Sequence, residues 1–218
     1  MIDYRSVIEN NCRNSVVSWW PRCAFHYTDI TNAVNILDCG YLYPRNEVLK
    51  SGMMLNDNAS SQVIHVTVSG AQECVRFYFK PLTPTQYYNE GFKHPDLRYS
   101  DDGNGANVPV PVFFLFNLEK VLDRKESEFT DGSDAGSGSN SYHSPEAFER
   151  LDHRLIYSTG RITEEVKRWR QAEILFHGSF PIDFALKRIV LRNDVERNTF
   201  LKMLKQRSIS TLKESQSA

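Results

Sequence analysis

Residues 169–176 read Trp-Arg-Gln-Ala-Glu-Ile-Leu-Phe, and they place one carboxylate, Glu173, at the start of a short apolar segment. If this segment forms a β-strand, its period of two sends Glu173 and Leu175 to one face and Ile174 and Phe176 to the other. A charge that faces a packed core is costly unless it has a partner. We therefore expect Glu173 either to pair with a cation in an ordinary structural contact or to face a cleft that holds a ligand.

The length and composition predict one globular domain. The chain has 218 residues, of which 24% are charged and 12% aromatic, values typical of a folded protein. We expect a single domain over residues 1–207 and a flexible tail over 208–218. The longest apolar run, 112–116, is far shorter than the roughly 20 residues of a membrane span, and the N-terminus lacks a secretion signal. We therefore predict a cytoplasmic protein with no membrane segment.

Neither the cysteines nor the histidines are spaced as metal ligands. The four cysteines form no Cys-x-x-Cys pair, and the six histidines avoid the spacings that place two ligands on one helix face. We expect buried free thiols, no disulfide framework and no metal.

The net charge of −1 conceals an uneven distribution along the chain. Residues 1–160 carry 14 basic and 20 acidic side chains, a balance of −6, whereas residues 161–207 carry 11 and 6, a balance of +5. A basic surface near Glu173 suits phosphate groups, although a modest excess is also common on solvated helix faces. The basic residues concerned are Arg161, Lys167, Arg168, Arg170, Lys187, Arg188 and Arg192.

The order of patterns along the chain predicts an α+β fold of short strands and short helices. Thr28 or Asp29 is a suitable N-cap for the helix that Gly40 ends. Strands are predicted at 24–27, 41–43, 63–68, 75–79, 110–116, 172–176 and 186–191. Helices are predicted at 3–11, 30–39, 85–88, 118–122, 146–151, 163–170 and 194–205, and polar loops at 45–61, 89–107 and 131–144.

Several common catalytic motifs are absent from the sequence. There is no phosphate-binding Gly-x-x-x-x-Gly-Lys-Ser/Thr loop, no Gly-x-Gly-x-x-Gly and no Gly-x-Ser-x-Gly elbow. The sequence therefore does not describe a kinase, a dinucleotide dehydrogenase or a serine hydrolase. What remains is a set of short polar and aromatic blocks, each of which taken singly is more often structural than functional.

Four of these blocks occur in a characteristic order. The first is His-Tyr-Thr-Asp-Ile-Thr-Asn at 26–32, and the second is Phe-Tyr-Phe-Lys-Pro-Leu-Thr-Pro at 77–84, followed by Tyr87. The third is Phe-Thr-Asp at 129–131 with the polar loop after it, and the fourth is Arg-Gln-Ala-Glu-Ile-Leu at 170–175. Together the blocks resemble the DarT-type ADP-ribosyltransferases, NAD-dependent toxins that modify bases in DNA. The resemblance extends over nearly the whole chain.

The resemblance implies a fold, a donor substrate and a set of site residues. The fold would be a single ADP-ribosyltransferase-like domain with a central split β-sheet flanked by short helices. NAD would serve as the ADP-ribose donor without a metal, and Glu173 would be the catalytic carboxylate. It would stabilise the oxocarbenium-like ribose and take the proton from the attacking nitrogen. The NAD-binding residues would be His26, Tyr27, Thr28, Asn32, Tyr78 and Tyr87.

On the nucleic-acid side, the resemblance and the basic helix predict contacts with single-stranded DNA or a flipped base. Trp169 would supply a stacking surface in that reading. The alternative, that Trp169 anchors its helix to the core, fits the sequence equally well. The nucleic-acid side would comprise Arg76, Tyr142, His143, Trp169 and Arg170.

One departure from the family pattern concerns the base that is modified. The thymidine-modifying branch carries an Ile-Gln-x-Arg-Arg stretch before the Phe-Tyr-Phe block, and one of its arginines helps the base to react. Here residues 46–75 contain no arginine, and Arg76 is the nearest candidate. We therefore expect guanine to be favoured over thymine.

The resemblance also implies a biological setting. The enzyme would be the toxin of a toxin–antitoxin pair with a macrodomain antitoxin, in a system that could serve in phage defence. Two alternatives stay open from the sequence: an ADP-ribosyltransferase that acts on RNA or protein, and a non-catalytic module that binds NAD or nucleic acid.

Overall fold

The structure is a computed structural model, and it describes residues 2–53, 55, 71–90, 108–133 and 139–216. The strand expected at 63–68 and most of the loop expected at 89–107 lie outside these residues. No helix within the described ranges combines the length and the apolar character that a membrane span requires.

Short helices and short strands alternate along the described chain. The helices are α1 (Tyr4–Asn14), α2 (Ile30–Cys39), α3 (Arg45–Lys50), α4 (Pro84–Asn89), α5 (Leu118–Leu122), α6 (Pro145–Glu149), α7 (His153–Ile156), α8 (Glu164–Arg170) and α9 (Asp194–Gln216). The strands are β1 (Cys23–Asp29), β2 (Tyr41–Leu42), β3 (Cys74–Tyr78), β4 (Pro111–Asn117), β5 (Ser127–Thr130), β6 (Ser141–Tyr142), β7 (Glu173–His177), β8 (Phe180–Pro181) and β9 (Leu186–Val190).

The main sheet of the described chain contains seven strands in the order β6-β5-β7-β3-β1-β4-β9, and neighbouring strands are antiparallel. β1 pairs with β4 along its whole length, from Cys23 to Asp29. It shares only one register pair with β3, Phe25 opposite Tyr78. The two strands therefore separate beyond Phe25, and the predicted α+β fold with a split central sheet is confirmed.

An aromatic cluster centred on Phe180 fills one side of this sheet. The ring centroid of Phe180 lies 5.1 Å from that of Phe77, 5.3 Å from that of Phe116 and 5.0 Å from that of Phe176. The planes cross at 72° to 87°, the edge-to-face geometry that aromatic quadrupoles favour. Since β8 pairs with β2, the cluster also joins the small second sheet to the large one.

Helix α2 begins and ends where the sequence predicts. The carboxylate of Asp29 accepts a hydrogen bond from the Thr31 amide at 3.0 Å, which satisfies one of the free donors of the first turn. Gly40 has a φ of 77°, in the left-handed region that glycine adopts without steric cost, and its amide donates to Ile36. These caps fix the chain direction immediately after the His26 block.

Several short elements differ from the sequence predictions. Helix α3 lies in the expected polar loop 45–61, because Pro44 supplies the first carbonyl acceptor of a helical turn. The strands β5, β6 and β8 and the helix α7 were not predicted, since elements of two to four residues are too short to show a period. Residues 208–216, expected in a flexible tail, continue α9, which contains no glycine or proline to end it earlier. Cys39 is exposed, whereas the other cysteines are buried as expected.

The buried ammonium group of Lys80, just after β3, contacts Trp20 of the N-terminal segment. The ammonium group of Lys80 donates to the carbonyl of Ser158 at 2.7 Å and lies 4.8 Å from the ring centroid of Trp20. Arg170 approaches the same loop, donating to the Ser158 hydroxyl at 3.1 Å and to the Gly160 carbonyl at 2.9 Å. Burial, assisted by the charge of Arg170, lowers the pKa of Lys80 to about 8.

We expect Phe180→Ala to lower the free energy of unfolding by about 3–5 kcal/mol, because it removes a fully buried ring from the aromatic cluster. Urea denaturation at equilibrium measures the change. Phe184→Ala is the matched control, since Phe184 is 37% exposed and stands at the rim of the same cluster. Equal losses for the two variants would contradict the central position of Phe180.

We expect the Lys80 contact to make stability depend on pH. Its folded pKa lies below the unfolded value, so the cost of burying the charge is present below pH 8 and is relieved as the pH rises toward 10.5. Relative to Lys80→Met, the wild type should gain about 2 kcal/mol of unfolding free energy between roughly pH 7.5 and roughly pH 9.5. Urea denaturation across this range measures the difference. If the free energy of unfolding changed with pH in the same way in both proteins, the lowered pKa could not be assigned to Lys80.

Candidate active site

Glu173 is the first residue of β7 and is 1% exposed. Its amide donates a hydrogen bond of 3.0 Å to the hydroxyl of Thr130 on the neighbouring strand β5, and that hydroxyl donates to the Gly132 carbonyl at 2.6 Å. Glu173 stands opposite Tyr78 of β3, and His177 stands opposite Cys74. The alternation predicted for this strand is confirmed, and the backbone that carries the carboxylate is fixed on both sides.

Arg76 is the cation that holds Glu173. Its Nε and Nη2 atoms donate to the same carboxylate oxygen, Oε2, at 2.7 and 2.5 Å. The side chain of Arg76 is 28% exposed, so the pair lies where a buried carboxylate meets a partly open surface. Removing one partner of such a pair leaves an uncompensated buried charge. The sequence placed Arg76 on the nucleic-acid side, whereas in the structure its guanidinium contacts the carboxylate directly.

His26 bridges the point at which β1 and β3 separate. Its Nδ1 atom lies 3.0 Å from the carbonyl oxygen of Arg76. Because a carbonyl only accepts, Nδ1 carries the proton, and Nε2 of the neutral ring is an acceptor. Burial lowers the pKa of His26, which favours this neutral form. The imidazole therefore offers a hydrogen-bond acceptor at the split in the sheet.

Two partly buried tyrosines form an aromatic wall beside Glu173. The rings of Tyr27 and Tyr78 are 6.2 Å apart, and that of Tyr27 is 5.9 Å from Phe113. Burial, with a smaller contribution from the Glu173 charge, raises the pKa of Tyr78 to about 12. Burial also raises the pKa of Tyr27, so both hydroxyls stay neutral. Tyr87, on α4, is 75% exposed and does not belong to this wall.

Thr28 and Asn32 are buried at the junction of β1 and α2. The Asn32 side chain donates to the Thr28 hydroxyl at 3.3 Å, and its oxygen accepts from the Leu55 amide at 3.0 Å. The first block therefore ties the chain after α3 to the start of α2. His26 and Thr28 lie in the second half of β1, and Asn32 lies in the first turn of α2.

Asp131 joins the two ends of the glycine- and serine-rich segment next to Glu173. One oxygen accepts from the Asn140 amide at 2.9 Å, and the other accepts from Arg168 at 3.0 Å and from the Tyr142 hydroxyl at 3.4 Å. Burial alone would raise the pKa of Asp131, but the Asn140 hydrogen bonds and the Arg168 charge outweigh it and lower the pKa. This clamp follows Thr130 directly, so it fixes the loop entrance beside the carboxylate.

The residues expected on the nucleic-acid side do not share one surface. Arg170 is buried, because the last turn of α8 points inward and its guanidinium binds the loop at Ser158. Trp169 packs partly against the core, as in the structural alternative. Tyr142 stacks on Phe129, whereas the side chain of His143 is 68% exposed. The Arg170 prediction is therefore corrected, and His143 stays a surface candidate.

Sequence reasoning missed three contacts that organise the site. Thr130 and Asp131 belong to the third block, but no individual role was predicted for them from the sequence. Their position beside a Gly/Ser-rich loop could have indicated one. The Arg76–Glu173 pair had no local signal, because it depends on the register between β3 and β7.

The chain is similar to one protein family and to several solved structures. A family model described as "ssDNA thymidine ADP-ribosyltransferase, DarT" matches residues 25–216, whereas curated proteins gave no match. Thermus sp. 2.9 DarT in complex with NAD+ is 21% identical, with a TM-score of 0.64 over 85% of this chain and 89% of that one. The same protein in complex with ADP-ribosylated ssDNA gives 21% identity and a TM-score of 0.68 over 85% and 88%. Thermosipho africanus DarTG in complex with ADP-ribose gives 14% identity and a TM-score of 0.63 over 84% of this chain and 47% of that one.

The likenesses to solved structures show a shared fold. The family match covers most of the chain and contains all four sequence blocks, including the buried carboxylate at Glu173. The chain therefore belongs to the DarT family of NAD-dependent DNA ADP-ribosyltransferases.

Proposed function

We propose that the protein cleaves the nicotinamide glycosidic bond of NAD and transfers the ADP-ribose to a nucleobase of single-stranded DNA. One observation carries the proposal: the buried Glu173 carboxylate is held by Arg76 and stands opposite Tyr78, where the central sheet splits. The family match, and relatives in complexes with NAD+ and with ADP-ribosylated ssDNA, support it.

The split in the sheet suits NAD. The acceptor nitrogen of His26 fits a hydroxyl of the adenosine ribose, and Thr28 and Asn32 shape the same end of the pocket. Tyr27 and Tyr78 offer an aromatic wall against which a nicotinamide ring can stack. Tyr87 is assigned to the outer rim, because α4 follows β3 closely and leaves its ring exposed.

The carboxylate has two tasks in the proposed reaction. The C1′–N bond of the nicotinamide ribose breaks, the nicotinamide leaves with the bonding electrons, and the ribose becomes an oxocarbenium-like cation that the negative charge of Glu173 stabilises. A base nitrogen then attacks C1′ and loses a proton to the same carboxylate. Arg76 orients Glu173 and keeps it ionised until that transfer.

We propose guanine as the preferred acceptor over thymine. The ring nitrogen of thymine must lose its proton before it attacks, and an extra cation near the base assists that step. Guanine presents an exocyclic amino group that can attack first and release its proton afterwards. No arginine occurs in residues 46–75, and Arg76 is engaged with Glu173. The description of the matching family names thymidine, which makes the choice of base a direct experimental question.

We propose that the enzyme is the toxin of a toxin–antitoxin pair that acts in the cytoplasm, where NAD and single-stranded DNA are both present, with a role in phage defence. A macrodomain antitoxin that removes the modification would be its partner. The Thermosipho africanus DarTG protein, whose complex contains ADP-ribose, supports this setting.

The reaction is tested with labelled NAD and single-stranded oligonucleotides that contain one reactive base each. We expect label on the guanine oligonucleotide, and we expect Glu173→Gln to reduce transfer by about 10³-fold, because the developing ribose cation loses its counter-charge. Glu128→Gln is the matched control, since Glu128 lies on the neighbouring strand β5 opposite Leu175.

Each other outcome of this assay has a definite meaning. Label on the thymine oligonucleotide alone would overturn the base preference but keep the reaction. Label on RNA or on lysate proteins instead of DNA would move the acceptor to another class. Absence of nicotinamide release under every condition would identify a non-catalytic binding module.

We expect Arg76→Gln to lower kcat for transfer by about 100-fold with little change in KM for DNA, because the guanidinium orients Glu173 and does not bind substrate. The acid limb of the pH–rate profile should move to higher pH, since a buried carboxylate without a cation ionises less readily. Arg76→Lys should restore part of the rate, and Arg124→Gln, which breaks an exposed pair with Glu126, is the control. A raised KM with an unchanged kcat would instead place Arg76 on the DNA.

A further inference from the structure

An exposed tryptophan stands near the active site on a rigid support. Trp19 is 48% exposed, and its ring centroid lies 5.9 Å from that of Phe25 and 6.4 Å from that of Trp20. A tight turn holds it, because the Trp20 amide donates to Val17 at 3.1 Å and the Arg22 amide donates to the Trp19 carbonyl at 3.2 Å. The indole is therefore presented to solvent by buried aromatic residues and a hydrogen-bonded backbone.

Trp19 forms part of a groove of about 360 Å³, a volume at the lower end of those typical of small-molecule sites. Arg13 and Arg22 are exposed in this groove, and Glu9 supplies one opposing charge. The groove is lined by Glu9, Cys12, Arg13, Ser18, Trp19 and Arg22.

Further cations lie at the same corner of the molecule. Arg22 precedes Cys23 in the chain, and Lys187 and Arg188 lie on β9, which pairs with β4 next to β1. Their charges oppose the increase that burial causes in the pKa of the Cys23 thiol. Positive charge thus exceeds negative charge around the exposed indole. An anionic partner is favoured over a neutral or cationic one.

The groove contacts the sheet at Phe25, which lies on the same face as the Glu173 carboxylate. Phe25, which supports Trp19, stands opposite Tyr78, and Tyr78 stands opposite Glu173. Residues directly opposite one another point to the same face, and two strand spacings amount to about 10 Å. A nucleotide close to the modified one in the same strand can bridge that separation.

The groove is distinct from the site described above. The family match begins at residue 25, so α1 and Trp19 lie outside it. Trp169, the residue expected from the sequence to stack on a base, packs partly against the core. The exposed Trp19 therefore lies outside the residues that the family model matches.

We propose that this groove binds a nucleotide flanking the modified base in single-stranded DNA, with its base stacked on Trp19 and its phosphates against Arg13 and Arg22. The identity of the ligand rests on the proposed function, because the groove shares a face with Glu173. An aromatic ring next to guanidinium groups is the usual combination for binding single strands, whose unpaired bases expose their flat faces. The groove thereby makes KM depend on DNA beyond the target base.

The test compares a long oligonucleotide with the mononucleotide of the same reactive base, which has no flanking nucleotide. Trp19→Ala should raise KM for the long substrate about tenfold, and the effect should be confined to that substrate. Trp19→Phe retains a ring and should stay within about twofold of the wild type. Arg197→Gln, on α9, is the control for loss of an exposed positive charge. The thermal unfolding midpoint of each variant shows whether it is folded.

A second measurement addresses the phosphate contacts. Replacing Arg13 and Arg22 by glutamine should lower the slope of log KM against log salt concentration by about 0.7 for each lost contact. An unchanged KM for the long substrate in Trp19→Ala, or equal losses for long and short substrates, would overturn the proposal.

A binding assay that does not depend on catalysis separates a failure of the groove proposal from a failure of the proposed function. If the wild type transfers no ADP-ribose to DNA, the proposed function fails, and fluorescence anisotropy with labelled single-stranded DNA still tests the groove. Weaker binding by Trp19→Ala would support it as a single-strand site, and equal binding by both proteins would exclude it. RNA of the same sequence serves as a parallel ligand, and a clear preference for RNA would overturn the assignment to DNA.

Discussion

The ion pair between Arg76 and Glu173 is the interaction on which the candidate active site depends. A carboxylate that is 1% exposed stays ionised only if a cation and well-placed donors replace its water. Arg76 provides two donors to one oxygen, and Thr130 fixes the backbone of Glu173 from the opposite strand. The register of β3 against β7 brings these groups together. The aromatic cluster around Phe180 packs against the same strands and resists a shift of that register.

Arg76 also links the two halves of the proposed NAD pocket. Its side chain holds Glu173, whereas its carbonyl oxygen accepts from His26 at the point where β1 and β3 separate. A strand neighbour would ordinarily satisfy that carbonyl, but the sheet splits there, and an imidazole takes the place of the missing strand. One residue of β3 therefore fixes both the proposed catalytic carboxylate and the histidine proposed for the adenosine side.

Part of the basic excess of residues 161–207 is engaged in contacts within the protein. Arg168 binds Asp131, Arg170 binds the loop at Ser158, and Arg192 binds the Pro109 carbonyl as well as acidic neighbours. These guanidinium groups stabilise loops beside the site. The charge count therefore did not show which basic residues are free to meet phosphates. Arg13 and Arg22, which flank the exposed Trp19, lie in a segment that the charge count gave no reason to select.

The sequence by itself determined the features that depend on local pattern. The alternation of β7 placed Glu173 on its face of the sheet. Asp29 and Gly40 marked the ends of α2. The order of the four blocks indicated the family and the carboxylate proposed to be catalytic. Tertiary structure decided the partner of Glu173, the inward direction of Arg170 and the pairing of β5 with β6 and β7. Strand register and the burial of long side chains depend on residues far apart in the chain. For that reason, no local period or motif encoded them.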